Sequence, residues 1–203
     1  MKEEKNSMVL EALVQAIPYV GGSLATIYFG RKQEKRFQRL ERFYQELKDE
    51  IEIIGEQLPA ISLHNPDELT AILEELHEKV ETEHLEIKRK YYKEYFKNTL
   101  KQPVNGNFEE RKLFLDILAD LSPLQIELVI FLSKQSQPIS IKNIRKPGIE
   151  QSLIIGSINR LKSYGIVETM LDSIVFGSVG NAINENVKIS NFGLRFHLFC
   201  IDD

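Results

Sequence analysis

Cysteine is nearly absent. Cys200 is the only one among 203 residues, so the chain can make no internal disulfide and no cysteine-based zinc site. A positive excess is absent too. The chain has 26 Lys/Arg against 30 Asp/Glu, a formal net charge of −4, which argues against nucleic-acid binding by the chain as a whole. There is no nucleophile motif, no paired-carboxylate signature and no dinucleotide fingerprint. Gly21-Gly22-Ser23 is not followed by the Gly-Lys-Ser/Thr of a phosphate loop, and Cys200 has only His197 near it in sequence. Repeats and low-complexity tracts are missing. These absences predict a non-enzymatic protein with no cofactor and no metal.

What is present is ordinary for a soluble globular chain: 42% hydrophobic and 28% charged residues, enough for one domain or two small ones. The unusual part comes first. Only Glu11 interrupts the apolar segment Met8–Phe29, and Ala12–Gly30 carries no charge. A secretory signal would open on basic residues and run uninterrupted. Here Glu3 and Glu4 precede the run, and Pro18, Gly21 and Gly22 break it. Two short helices joined at Pro18–Gly22 suit those breakers better than one spanning helix. The expectation is a cytoplasmic protein opening on an apolar hairpin over 8–30, laid on the helices that follow.

After Gly30 the chain turns basic, with Arg31, Lys32, Lys35, Arg36, Arg39 and Arg42 among Glu34 and Glu41. Beneath that charge runs an apolar series, Phe37, Leu40, Tyr44, Leu47, Ile51, Ile54 and Leu58. Its alternating steps of three and four mark a coiled-coil-like seam, widened by Phe43 and ended by Pro59. Asn65, Pro66, Asp67 and Glu68 then open a second helix. Its seam is Leu69, Leu73, Leu76, Val80, Ile87, Tyr91 and Tyr95, with His84 filling the gap. Helices over 31–58 and 66–100 would each span roughly 40–50 Å and pack antiparallel across a short connection. The seam also leaves homo-oligomerisation open.

Gln102–Asn107 reads as the linker between a helical module, 1–101, and a second domain, 108–203. Phe108–Leu121 is an amphipathic helix with Leu113, Phe114, Ile117, Leu118 and Leu121 inward. Ser122-Pro123 caps the next helix. A short strand near Ile139–Ile144 follows, then a helix over Glu150–Tyr164 with Leu153, Ile154, Ile158 and Leu161 inward and Gly165 as its stop. Strands at Ile166–Phe176 and Asn186–Ser190 lead to a final helix from Asn191, on which Leu198 and Cys200 pack inward. That order predicts a winged helix. The predicted fold class is therefore mainly α: an elongated antiparallel helical hairpin followed by an α+β winged-helix domain.

Three constellations carry candidate chemistry. The helix at 150–164 holds the recognition position, and Lys142, Arg145, Lys146, Gln151, Asn159, Arg160 and Lys162 are its candidate DNA contacts. Ser122–Ile201 carries eight Lys/Arg against five Asp/Glu. Glu74/His77 and Glu81/His84 have Glu-x-x-His spacing, but both motifs sit on one helix, so a solvated, ion-paired face is the stronger reading. Tyr91, Tyr92, Tyr95 and Phe96 interleave with Lys88, Arg89, Lys90, Lys93 and Lys97, a pattern shared by single-strand binders and by packed helix ends. Leu13, Ile17, Tyr19, Leu24 and Ile27 are candidate membrane or partner contacts, the membrane only after a trigger.

The stretch AIPYVGGSLATIYFGRKQEKRFQRLERFYQELKDEIE resembles the opening of small bacterial proteins of prophages and mobile elements. FLDILADLSPLQIELVIFL and the later VKISNFGLRF resemble the winged-helix end of the abortive-infection alpha group. The resemblance covers about half the chain and implies a role in phage defence or mobile-element biology, with no catalytic residue. Three functions are open: an interaction protein with a protein partner, a DNA-binding regulator, and a membrane-perturbing effector.

Overall fold

The computed structural model describes residues 31–54, 58–170 and 185–202. The expected hairpin 8–30, with Leu13, Ile17, Tyr19, Leu24 and Ile27, lies outside them, as does the 171–184 connection. Among the described residues the chain is mainly helical with one small three-stranded antiparallel sheet. It divides into two compact units between Ala119 and Asp120.

Four helices build the first unit: α1 (Arg31–Ile54), α2 (Pro66–Thr82), α3 (Glu86–Lys101) and α4 (Phe108–Asp120). The single long second helix expected over 66–100 is in fact two. Thr82 turns its hydroxyl back onto the carbonyls of Glu78 and Lys79, a local bond that competes with helix propagation. Glu83 is extended, at φ −74° and ψ 117°, and its carboxylate accepts the N–H of Leu85. Lys88 then pairs with Glu83 at 3.1 Å, and Arg89 donates to the Glu83 carbonyl at 3.0 Å.

The chain reverses at this break. Arg36–Glu81 and Tyr44–His77 set α1 antiparallel to α2, whereas Arg42–Glu86, Lys93–Glu46 and Lys97–Glu50 set α1 parallel to α3. Lys112–Glu75 and Lys79–Asp116 run α4 alongside α2. The unit is thus four helices alternating in direction, not an elongated two-helix hairpin.

The reversal also moves the core. α1 meets α2 and α3 together, so its fully buried stripe is Phe43, Leu47 and Ile51, while Leu40 and Tyr44 are half-buried. His84 and Ile87, expected in the seam, are exposed. On α4, Leu113 is 46% exposed and Leu115 takes the inward place. The turn 102–107 does not separate the units. Val104 is fully buried, its N–H donates to His64 Nδ1 at 3.1 Å, and its carbonyl accepts from Asn65 at 2.7 Å. Those bonds clamp the turn onto the 59–65 connection.

The second unit contains α5 (Pro123–Ser133), β1 (Ile139–Ser140), α6 (Gln151–Ser163), β2 (Val167–Met170), β3 (Asn186–Ile189) and α7 (Asn191–Cys200). A short 3₁₀ turn, Ile141–Asn143, follows β1. The sheet order is β1-β3-β2, both pairings antiparallel, with Ile139 opposite Val187 and Thr169 opposite Val187 on the other side.

Local chemistry sets these boundaries. Ser122 and Gln125 form a reciprocal capping box at α5. Gly165, at φ +73°, ends α6 with its N–H on Lys162 and that of Ile166 on Leu161, the Schellman pattern. At α7, Ser190 accepts from Gly193 and donates to the Gly165 carbonyl. Gly193 lies so close to the start of β2 that an added Cβ would fall 2.2 Å from the Ile166 oxygen. Ile126, Val129, Leu132, Ile154, Ile158, Leu161, Val187, Phe196 and Cys200 fill the core. Two expected members do not: Leu153 is 54% exposed and Leu198 is 60% exposed.

Candidate functional site: the outward face of α6

Helix α6 buries Ile154, Ser157, Ile158 and Leu161 and turns Ser152, Leu153, Asn159, Arg160 and Ser163 to solvent. The Leu153 exposure follows from the helical repeat. Residue 153 is one position ahead of 154, about 100° around the axis, so the 154–158–161 stripe carries it off the core.

The candidate DNA contacts all lie on this helix or the loop before it, but most are engaged within the unit. Lys146 pairs with Glu127 of α5. Lys162 pairs with Glu185, whose carboxylate also accepts from Thr169 at 3.3 Å. Arg160 reaches Asp120 at 3.3 Å and the Tyr164 hydroxyl at 3.0 Å. That hydroxyl donates to Asp120 at 2.6 Å, which holds the phenol above its ordinary pKa. The Arg160 guanidinium also stands 5.6 Å from the Tyr164 ring centroid. Gln151 is occupied at both ends of its amide, accepting from Arg145 and donating to the Ile141 carbonyl at 3.0 Å. Asn159 is exposed. Lys142 and Arg145 are exposed and pair with no carboxylate among the described residues.

Asp120, Glu127 and Glu185 are therefore the residues that sequence reasoning missed. They lie 40, 19 and 23 positions from their cations, so no local spacing announces them. Taken over 120–203, the unit has eight Lys/Arg and eight Asp/Glu. Cations held by internal carboxylates contribute little to a counterion-release footprint.

The other constellations serve packing. His77 Nδ1 lies 3.2 Å from the Tyr44 hydroxyl, and burial lowers its pKa. No group of three or more His, Cys, Asp or Glu among the described residues could hold a metal. Tyr92, Tyr95 and Phe96 are buried, with Lys93 and Lys97 bound to Glu46, Glu50 and Glu94. Their rings are therefore not a stacking platform. Cys200 is buried, and His197 Nε2 lies 3.2 Å from the Ser133 hydroxyl, which is also 2.9 Å from the Ile130 carbonyl. No described helix is long and apolar enough to cross a membrane.

No family model, no curated protein and no solved structure matches the chain.

Proposed function

We propose that residues 120–203 are a winged-helix module used for protein contacts, in a non-catalytic cytoplasmic protein of phage defence or mobile-element biology. The order α5, β1, 3₁₀ turn, α6, β2, β3, α7 and the sheet order β1-β3-β2 support the winged-helix reading. The resemblance of Phe114–Leu132 and Val187–Phe196 to the abortive-infection alpha group supports the biological setting. The observation that carries protein over DNA is the internal neutralisation of Lys146, Arg160 and Lys162 by Glu127, Asp120 and Glu185. A DNA-reading helix directs such cations at phosphates. Here the outward centre is Leu153 beside Gly156, and protein partners bury apolar side chains at the centre of a contact.

The test compares wild type with Leu153→Asp in affinity purification from phage-infected cells. One stoichiometric protein partner, retained by wild type and lost in the variant, is the expected result. Tight sequence-specific duplex binding by wild type, abolished by Arg160→Ala and Lys162→Ala, would replace this reading with the regulator. Lys142 and Arg145, which meet no carboxylate among the described residues, are the observation that favours that second reading.

A further inference from the structure

We infer that the outward side of α7, with the end of α5 beside it, is a contact with a second copy of this chain across a two-fold axis. The inference does not depend on what α6 binds.

Helix α7 buries Gly193, Phe196, His197, Phe199 and Cys200. Asn191, Leu194, Arg195 and Leu198 are left outward. Leu194 and Leu198 stand four residues apart, so they form one ridge, and they are 37% and 60% exposed. Asp202 follows at the same spacing. Its N–H donates to the His197 carbonyl at 3.0 Å, which holds it against the last turn. The end of α5 borders the ridge, because the Ser133 hydroxyl lies 3.2 Å from His197 Nε2. Lys134 comes next in the chain and is exposed.

Two exposed leucines alone would be ordinary. The charges around them are not. Lys134 and Asp202 are both exposed, and neither forms an ion pair among the described residues. Yet both act on the same imidazole: burial lowers the His197 pKa, Asp202 raises it and Lys134 lowers it. Lys146, Arg160, Lys162 and Lys188 of this unit each hold a carboxylate instead.

An apolar ridge thus carries an unspent cation beside it and an unspent anion at its end. An isologous contact needs that layout, since each patch must meet its own copy. With Leu198 near the axis and the two α7 helices antiparallel, each Lys134 faces Asp202 of the other copy. The leucines then take the dry centre and the charges the rim. Nucleic acid would be repelled by Asp202 and would leave both leucines in water. The dimer presents two α6 faces, so a partner with repeated sites gains avidity.

Sedimentation equilibrium of the full-length protein tests this. Wild type should show a concentration-dependent monomer–dimer equilibrium. Leu198→Asp sets two carboxylates at the axis and should leave only monomer. Lys134→Glu and Asp202→Lys each oppose like charges twice and should each weaken the dimer about 30-fold. Mixed together, these two variants form a heterodimer in which both pairs are again opposite in sign, and near wild-type affinity should return. All three positions are exposed, so circular-dichroism melts should be unchanged. A wild type that stays monomeric at every concentration would give the ridge to some other partner and overturn the proposal. A dimer that persists in Leu198→Asp, or a mixture no tighter than its components, would overturn it too.

Discussion

The two units are held together by different means. In residues 31–119 the helices are tied by rows of opposite charge between elements far apart in sequence. One row is Glu46, Glu50, Lys93, Lys97 and Glu94, and the other is Glu75, Lys79, Lys112 and Asp116. In residues 120–203 the boundaries are set by short-range backbone devices: the Ser122–Gln125 box, the Gly165 turn and the Ser190 cap. Both units need an apolar core. The first chooses helix partners by charge, and the second fixes where each element stops by local geometry. Ion-pair rows hold little energy per exposed pair but reject wrong registers, because a shifted helix opposes like charges. Caps and turns act before any long-range contact forms.

The largest test of this contrast strikes the core itself. Leu47→Asp puts a carboxylate where the side chain is 1% exposed and should cost about 4 kcal/mol or more, read by urea unfolding. If the charge rows alone held the first unit, this variant would keep most of its stability. Next, Gly193→Ala must push Cβ against the Ile166 carbonyl, which is backbone and cannot swing away. A loss of about 2–3 kcal/mol is expected, and a melt within about 0.5 kcal/mol of wild type would show that α7 can slide.

Acid should separate the mechanisms. Burial holds the His64 pKa below its ordinary 6.5, although the Leu100 carbonyl pulls the other way, and its Nδ1 already accepts the Val104 N–H. Burial lowers His77 and His197 likewise. The unfolded chain takes up these protons first. Their contribution is therefore complete above about pH 6.5 and lost as pH falls through the lower native values. His64→Gln should flatten the stability–pH curve in that window. Glu46, held down chiefly by Arg42, belongs to a second loss at lower pH, below its ordinary 4.5. An unchanged slope in the His64 variant would remove the clamp from the account.

A smaller effect is expected on the α6 face. Asp120→Asn, Glu127→Gln and Glu185→Gln together should free three cations and steepen the salt dependence of any duplex binding, by up to about 0.9 per phosphate newly neutralised. Fluorescence anisotropy at two salt concentrations reads this, and no change would mean the pairs do not mask the face. The smallest is Gly156→Ala. An added Cβ there meets open space, so helix propensity alone should stabilise the unit by about 1 kcal/mol, read as a higher urea midpoint.

The candidate face was legible as a set of positions and not as a set of free charges. Lys142, Arg145, Lys146, Arg160 and Lys162 do lie on or beside α6, because their placement follows from the Ser122-Pro123 start, the helical repeat and the Gly165 stop. Their partners come from α5, from the end of α4 and from the residue before β3, which only a folded chain assembles.

The same division runs through the fold. By itself the sequence determined where α5, α6, β3 and α7 of the second unit begin, to within a residue or two, since caps, a positive-φ glycine and apolar periodicity act within a few residues of where they stand. It also determined that α1 is one helix through the described span. No proline or glycine marks a stop at Glu83–Leu85, and tertiary packing decided that the local bonds there prevail over a continued helix. The break is held by Lys88, Arg89 and the Thr82 hydroxyl. It gains stability because α3 can then bury Tyr92, Tyr95 and Phe96. An apolar repeat tells which side of a helix is greasy, and the choice between continuing a helix and folding it back depends on the surface waiting for it.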